Sequence, residues 1–182
     1  MTLIHTPATI DAAPPRSQPL LEAVQRQLGV VPNLFRLVSN SPAALEGYLS
    51  MSGALAKGSL PAPTRERVAL AVSQINGCDY CLSAHTYLGK NLAGLNDEEI
   101  HANRSGRSNE AKADAAVRFA AKVAQERGQV STSDVRVVRD AGYSDEQIIE
   151  IVQHVALNIW TNYINLVAAT DIDFPLVKSG DL

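Results

Sequence analysis

The residues most suited to chemistry in this sequence are its only two cysteines, Cys78 and Cys81, and the histidine that follows them, His85. On a helix, side chains three and four positions apart share one face, so both sulfurs and the imidazole can converge. A Cys-x-x-Cys pair can close into a disulfide and reopen, and a nearby imidazole can accept or return a proton. The spacing therefore predicts a thiol redox site that transfers two electrons.

A carboxylate joins this group if the chain reverses direction before the cysteines. We interpret Asn76-Gly77 as a helix–helix corner, because helical patterns flank the pair on both sides. Glu66 lies 11 residues before Gly77, and His85 lies 8 residues after it. At about 1.5 Å of rise per residue, the two side chains are offset by only about 4–5 Å along the helix axes. A proton relay from Glu66 through His85 to a cysteine is thus geometrically feasible.

The two cysteines differ in their position on the second helix. Cys78 directly follows Gly77 and starts that helix. Unpaired backbone N–H groups and the helix dipole favour a thiolate there, so local electrostatics predict Cys78 to be the more acidic thiol. The same position predicts that Cys78 is the sulfur more open to an external dithiol.

Other interpretations of these residues stay open. The cysteines and His85 supply three of the four ligands that structural zinc normally takes, but no second cysteine pair follows, and we expect no metal. Two free cysteines can also be buried simply as small apolar side chains. Glu66 alone is most simply a first-turn acid that complements a helix dipole, and His85 alone a structural histidine. Only the joint pattern favours a redox site.

The composition is that of a globular protein. The chain has 182 residues, of which 46% are hydrophobic and 19% charged, and we expect a single domain at residues 17–182. A net charge of −3 gives no basic surface for nucleic acid, and no apolar run reaches the roughly 20 residues that span a bilayer. The first residues lack the features of a signal peptide, so we expect a cytoplasmic location, where a structural disulfide is uncommon.

Helical patterns dominate the chain, and no segment alternates like a strand, so we predict an all-α fold. Residues 1–16 carry three prolines and no periodicity, which indicates an extended arm. Thr64 is predicted to cap the helix that contains Glu66, since prolines precede it. The longest helix, at about residues 145–169, is apolar nearly all round, which is typical of a central or subunit-interface helix. It carries His154, a candidate auxiliary residue, and three asparagines expected in a buried polar seam or a subunit contact, namely Asn158, Asn162 and Asn165.

The motif of Glu66, eleven residues, Cys78-x-x-Cys81, three residues and His85 resembles the active site of the AhpD-like alkylhydroperoxidases in the carboxymuconolactone decarboxylase superfamily. Residues 64–81 (TRERVALAVSQINGCDYC) are similar to the core of that family. Residues 158–163 (NIWTNY), followed by residues 171–175 (DIDFP), resemble a subgroup described as peroxidase-related. The resemblance covers nearly the whole chain beyond the arm.

The resemblance implies an AhpD-like helical domain with the cysteine pair on a helix hairpin, and reduction of organic hydroperoxides by that pair. It implies that Cys81 attacks the peroxide, that Cys78 resolves the product, and that Glu66 and His85 relay protons. It also implies a homo-oligomer, a trimer or hexamer, that has no bound cofactor and is recharged by a thiol or lipoyl-type reductant protein. Well-studied members carry a second histidine between the cysteines, where this chain has Tyr80. A phenol cannot replace imidazole as a base at neutral pH, so we expect Tyr80 to act as an auxiliary hydrogen-bond donor to a thiolate or peroxide oxygen.

Three alternatives to peroxide reduction remain. A general disulfide oxidoreductase would use the same cysteine pair on protein partners. Decarboxylation of a lactone is the other activity of the superfamily, but members of that branch do not rely on a cysteine pair. A non-catalytic helical oligomer would use the cysteines and His85 only for packing or metal binding.

Overall fold

Nine α-helices and no β-strand make up the part of the chain that the computed structural model describes, residues 2–182. The all-α prediction is therefore confirmed. In chain order the helices are α1 (Gln18–Leu28), α2 (Asn33–Val38), α3 (Pro42–Leu55), α4 (Ala62–Ile75), α5 (Asp79–Asn91), α6 (Asp97–Arg104), α7 (Ala111–Gln125), α8 (Thr132–Asp140) and α9 (Asp145–Ala168), followed by a 3-10 turn at Ser179–Asp181. None of these helices is long and apolar enough to cross a membrane.

Several helices begin at a residue whose side chain caps the first turn. Ser41 caps α3, and Ser144 forms a capping box with Gln147 at the start of α9. The start of α4 is an exception, because Pro61 occupies the cap position and Thr64 lies inside the helix. The prediction that Thr64 caps α4 is therefore wrong. A proline is tolerated in the first helical turn, whose N–H groups have no intrahelical partner, so the prolines do not delay the helix.

Helix α4 lies at the centre of the fold and packs against α5, α6, α7 and α9. Every residue of α4 from 67 to 73 is buried, as expected for a helix with neighbours on all sides. One apolar cluster joins α4 to α7 and α9. A second cluster joins Cys78, Tyr80 and Cys81 to apolar side chains of α1, α2 and α3. The cysteine pair is thus part of the folded core rather than of a surface loop.

The segments at both ends of the chain contact this helical body. Residues 2–17 contain no helix, but they turn at Ala13 and at Ser17, and the N–H of Leu3 donates to the carbonyl of Ala168. We name residues 171–182 the C-terminal strap. Ser179 donates to the Asp79 carboxylate through both its N–H and its hydroxyl, each at 2.8 Å. The strap therefore lies across the start of α5, next to Cys78.

The corner between α4 and α5 occurs at Asn76-Gly77, as predicted. Gly77 has a φ of +66°, in the left-handed region that glycine adopts without strain. The Cys78 N–H then donates to the Ser73 carbonyl at 3.0 Å, which closes the turn. This geometry reverses the chain and sets α4 against α5, so the residues on either side of the corner face each other.

We expect Gly77→Ala to destabilise the protein by about 1–2 kcal/mol, the approximate cost of a left-handed conformation for an L-residue. A methyl group at this position meets only the Ser179 hydroxyl, at an ordinary contact distance of 3.9 Å, so the cost comes from the backbone. Urea unfolding measures the change. Gly47→Ala is the matched control, because Gly47 lies inside α3 with open space around it and should gain about 0.5–1 kcal/mol. Equal stability of Gly77→Ala and the parent protein would contradict the role given to the corner.

Candidate active site

The α4–α5 corner brings Glu66 and His85 into direct contact. The His85 Nδ1–H donates to Oε2 of Glu66 at 2.8 Å, so the two side chains bridge the predicted axial offset without a water. Each side chain is 21% exposed, which leaves the pair reachable from solvent. Burial alone would lower the pKa of His85, but the Glu66 carboxylate outweighs it, and the pKa lies above the ordinary value. His85 therefore favours its positively charged form beside the cysteines.

Cys81 is the more acidic of the two thiols. Its pKa is lowered to about 6, first by a hydrogen bond from Cys78, against the opposing effect of burial. The positive charge of His85 and hydrogen bonds from Asn165 and Asn162 lower the pKa further. The Asn165 contact is direct, because its Nδ2 lies 3.3 Å from the Cys81 sulfur. At neutral pH, Cys81 is thus held mainly as a thiolate.

Cys78 has the opposite character, which corrects the prediction from the helix dipole. It occupies the N-cap position of α5, and its sulfur accepts the Cys81 N–H at 3.4 Å. Its pKa is raised, because its proton is held in the hydrogen bond to Cys81 and because it is buried. The interaction with Cys81 and the burial of Cys78 outweigh the dipole at this helix end. Cys78 is also only 1% exposed and Cys81 3%, so the prediction that Cys78 is the more open sulfur is wrong.

Helix α9 contributes a row of buried polar side chains, which we name the polar stripe: His154, Asn158, Asn162 and Asn165. These residues are spaced by three or four positions and therefore share one face of α9. Asn162 donates to the Ser73 hydroxyl and accepts from Asn76, which ties α9 to the α4–α5 corner. Asn158 hydrogen-bonds the His85 side chain. The expected polar seam thus exists, and it contacts both His85 and Cys81.

His154 is near the relay without touching the sulfurs. Burial lowers its pKa to about 4, so it is neutral, and the charges of Glu66 and His85 act on it. Its Nε2 is buried and has no hydrogen-bond partner within residues 2–182. The structure therefore brings His154 to the edge of the site, as a neutral imidazole with one free nitrogen.

The Tyr80 hydroxyl does not act on the sulfurs, which corrects the sequence-based expectation. It accepts the Leu34 N–H at 3.0 Å and interacts with the carboxylate of Asp173. Burial raises the pKa of Tyr80. Its ring also meets Phe174 of the C-terminal strap edge to face, at 5.9 Å between centroids. Tyr80 therefore joins α5 to α2 and to the strap, and its role is structural.

A different tyrosine, Tyr48 of α3, lies against the site. It packs on the cluster that contains both cysteines, and its ring stacks on Trp160 with 5.4 Å between centroids. Burial, and then the negative charges of Cys81 and Glu66, raise its pKa. No spacing in the sequence connects Tyr48 to the cysteines, because α3 reaches the site only through tertiary packing. Over residues 2–182, no group of three or more metal-ligating side chains is arranged to hold a metal ion.

This arrangement has the components of a two-electron thiol reaction. The Cys81 thiol, whose pKa is lowered to about 6, lies near the His85 imidazole, whose pKa is raised, and the Cys78 sulfur accepts the Cys81 N–H at 3.4 Å. The thiolate can act as a nucleophile, His85 can donate a proton to a leaving group, and Cys78 can close a disulfide.

Comparison with known proteins agrees with this geometry. Residues 42–126, which hold Glu66, Cys78, Cys81 and His85, match the sequence profile of the Carboxymuconolactone decarboxylase family. No curated protein matches the sequence significantly. A peroxidase-related protein from Silicibacter sp. TM1040 is 26% identical over 94% of each chain, with a TM-score of 0.76.

Two further solved structures share the fold. An AhpD-core, peroxidase-related protein from Ralstonia eutropha JMP134 is 22% identical over 93% of this chain and 91% of its own, with a TM-score of 0.83. The debrominase Bmp8, solved with 2,3,4-tribromopyrrole, is 20% identical over 95% of this chain and 92% of its own, with a TM-score of 0.77. The fold is that of AhpD-like proteins, and residues 42–126 are similar to the carboxymuconolactone decarboxylase family.

We predict that alkylation of Cys81 by iodoacetamide rises with pH around a midpoint near 6, below the value of about 8.5 for a free cysteine. Only the thiolate reacts, so a lower pKa moves the plateau of the rate to lower pH. In Glu66→Gln the pKa of His85 falls, the imidazole loses its charge at neutral pH, and the Cys81 midpoint should move upward. His85→Gln should move it in the same direction.

Mass spectrometry of the alkylated peptide identifies the reacting cysteine and gives the rate at each pH. Glu98→Gln, an exposed carboxylate on α6, is the matched control and should leave the profile unchanged. A wild-type midpoint near 8.5, or equal profiles for wild type and Glu66→Gln, would show that the relay does not govern thiol ionisation.

Proposed function

We propose that this protein reduces organic hydroperoxides with Cys81 as the attacking thiol and Cys78 as the resolving thiol. The observation that carries the proposal is the hydrogen bond between Glu66 and His85 on the corner that holds the cysteine pair, with Asn165 donating to the Cys81 sulfur. Similarity to the carboxymuconolactone decarboxylase family over residues 42–126 supports enzymatic activity of this general type. The alternative of lactone decarboxylation leaves the cysteine pair unused.

The proposed reaction begins with attack of the Cys81 thiolate on the terminal oxygen of the hydroperoxide. The O–O bond breaks, its electron pair goes to the alkoxy oxygen, and His85 donates the proton that makes the alcohol. Cys81 becomes a sulfenic acid. The Cys78 thiol then attacks this sulfur, water leaves, and a disulfide forms. An external dithiol of thiol or lipoyl type returns two electrons and two protons.

The exposure of the relay indicates how a substrate reaches the sulfur. Cys81 is 3% exposed, whereas the side chains of Glu66 and His85 are each 21% exposed. A small hydroperoxide therefore approaches Cys81 past the relay. This route places the alkoxy leaving group next to the imidazole that protonates it.

Reductive dehalogenation is a second candidate function, and the likeness in fold to the debrominase Bmp8 supports it. The aromatic rings of Phe35, Tyr48 and Trp160 contact one another beside the cysteine cluster, where they could pack against a flat ring. The thiolate would take the bromine, the ring carbon would take a proton, and Cys78 would displace bromide to form the disulfide. Parallel assays with tert-butyl hydroperoxide and a bromopyrrole, under the same dithiol, distinguish the two reactions.

We expect Cys78→Ser to consume about one equivalent of tert-butyl hydroperoxide per site and then stop. Serine keeps a hydroxyl donor beside Cys81 but cannot resolve the sulfenic acid, which should be trapped by dimedone on Cys81. Cys81→Ser should show no comparably fast reaction. Mass spectrometry of the dimedone adduct identifies the modified residue.

Two outcomes would contradict this division of roles. A dimedone adduct on Cys78 in Cys81→Ser would reverse the two roles. A wild-type protein that cycles between thiol and disulfide with protein partners, without consuming peroxide, would instead be a general disulfide oxidoreductase.

We also propose that the protein is a homo-oligomer, a trimer or hexamer, in which α9 faces another copy. One side of α9 packs in the core, while the other side exposes large apolar residues to solvent: Ile149, Val152, Trp160, Tyr163, Leu166 and Val167. A continuous exposed apolar face of this kind is unusual for a monomer.

Light scattering should therefore return a multiple of 19.5 kDa, the mass of one chain. Tyr163→Glu places a charge in the exposed apolar face and should lower the mass toward one chain. Gln27→Glu, on the exposed side of α1, is the matched control and should keep the assembly. A mass of one chain for the wild type at micromolar concentration would disprove the assembly.

A further inference from the structure

The side-chain amide of Asn165 has a hydrogen-bonded nitrogen and an unpaired oxygen. Its Nδ2 donates to the Cys81 sulfur at 3.3 Å. Its Oδ1 is buried and has no hydrogen-bond partner within the described chain, and the whole residue is only 3% exposed. Buried polar atoms are nearly always paired, so an unpaired one calls for a specific reason. Both atoms belong to one amide, so the free oxygen shares its carbon with the nitrogen that contacts the reactive sulfur.

We infer that Asn165 is a positioning and specificity residue that selects substrates carrying an O–H group on the atom attacked by Cys81. The inference rests on the proposed peroxide reduction and adds a recognition element to it. In this arrangement, Nδ2 holds the thiolate while Oδ1 accepts the hydrogen bond of the terminal O–H of a hydroperoxide. The amide thereby presents to the sulfur the oxygen that carries hydrogen.

The reaction balance agrees with this assignment. The terminal oxygen and its hydrogen are transferred together to Cys81, so the same O–H remains available to Oδ1 in the sulfenic acid. The alkoxy oxygen, which needs a proton rather than an acceptor, departs toward His85. Asn165 and His85 therefore act on different oxygens of the substrate. A dialkyl peroxide, a thiosulfonate or an aryl halide offers no such O–H to the amide.

Two other unpaired buried atoms are not hydrogen-bonded to a cysteine. His154 Nε2 belongs to the polar stripe but touches neither sulfur, and the Oδ1 of Asn103 lies on α6. Asn103 is nevertheless valuable as a comparison. It is fully buried, its Nδ2 donates to Glu99 and to the Arg107 carbonyl, and its Oδ1 is unpaired like that of Asn165. It reproduces the same half-satisfied amide at a site without a cysteine.

The experiment compares two reagents on the reduced full-length protein. Tert-butyl hydroperoxide carries the O–H, whereas methyl methanethiosulfonate reacts with the same thiolate and has no O–H or N–H. The readout is the rate constant of Cys81 with the hydroperoxide divided by its rate constant with the thiosulfonate. Because both reagents react with the thiolate, a change in the thiolate fraction cancels in this ratio. We expect Asn165→Ala to lower this ratio about tenfold, the effect of losing one good hydrogen bond. Asn103→Ala should leave the ratio within twofold of the wild type.

Asn165→Asp provides the second variant, since it keeps the shape and an acceptor oxygen but loses the donor. Its Cys81 pH profile should move to higher pH, because the N–H bond to the thiolate is lost and a like charge is added. At pH values where Cys81 is fully ionised, its ratio of rate constants should stay near that of the wild type. A merely structural role of Asn165 would not separate the two readouts in this way.

The outcomes distinguish the inference from the function on which it rests. If the wild type consumes the hydroperoxide and Asn165→Ala keeps the wild-type ratio, the inference is wrong and the proposed function stands. If the ratio falls equally in Asn103→Ala, the effect comes from a general loosening of the packed core, and the inference about Asn165 is also wrong. If the wild type reacts with the thiosulfonate but not with the hydroperoxide, both the proposed function and the inference fail.

Discussion

A negative charge on a buried sulfur is the constraint on which the rest of this structure depends. Water cannot reach Cys81 in quantity, so the protein itself must supply the groups that stabilise the thiolate. Cys78 supplies a thiol donor, Asn165 an amide donor, and His85 a positive charge. That charge in turn depends on the Glu66 carboxylate. The acidity of Cys81 therefore depends on three helices, α4, α5 and α9, keeping fixed positions relative to one another.

Packing and hydrogen bonds between the helices explain how these relative positions are maintained. Helix α4 is buried along its middle, so the Glu66 backbone is fixed by packing on all sides. The corner at Gly77 turns α5 back along α4. At that corner the Asn76 side chain donates a hydrogen bond to Asn162, which links the corner to α9. Polar residues inside an apolar helix are costly unless they are paired. The polar stripe of α9 meets most of this requirement by bonding to the corner and to Cys81, and it leaves only His154 Nε2 and Asn165 Oδ1 unpaired within residues 2–182.

Local patterns in the sequence predicted the parts of the site that depend on one turn or one corner. The helix spacing and the turn at Gly77 were enough to predict the Glu66–His85 contact, which is made at 2.8 Å. The contact between Asn165 and Cys81 joins residues 84 positions apart, and no local pattern encodes it. The relative acidity of the cysteines was mispredicted because only the helix dipole was considered. The interaction between Cys78 and Cys81 outweighs the dipole, and the Asn165 bond adds to it.

Burial of both sulfurs places opposite demands on the two halves of the proposed cycle. Attack on a peroxide benefits from a dry site, where His85 and the thiolate interact strongly. Regeneration requires an external dithiol to reach a disulfide whose residues are 1% and 3% exposed. The C-terminal strap covers the start of α5 through Ser179 and Asp79, which leaves the side of Glu66 and His85 as the more open approach. A dithiol on a long, thin arm meets this geometry with less rearrangement than the surface of a folded protein. The depth of the cysteines therefore favours the proposed lipoyl type of reductant.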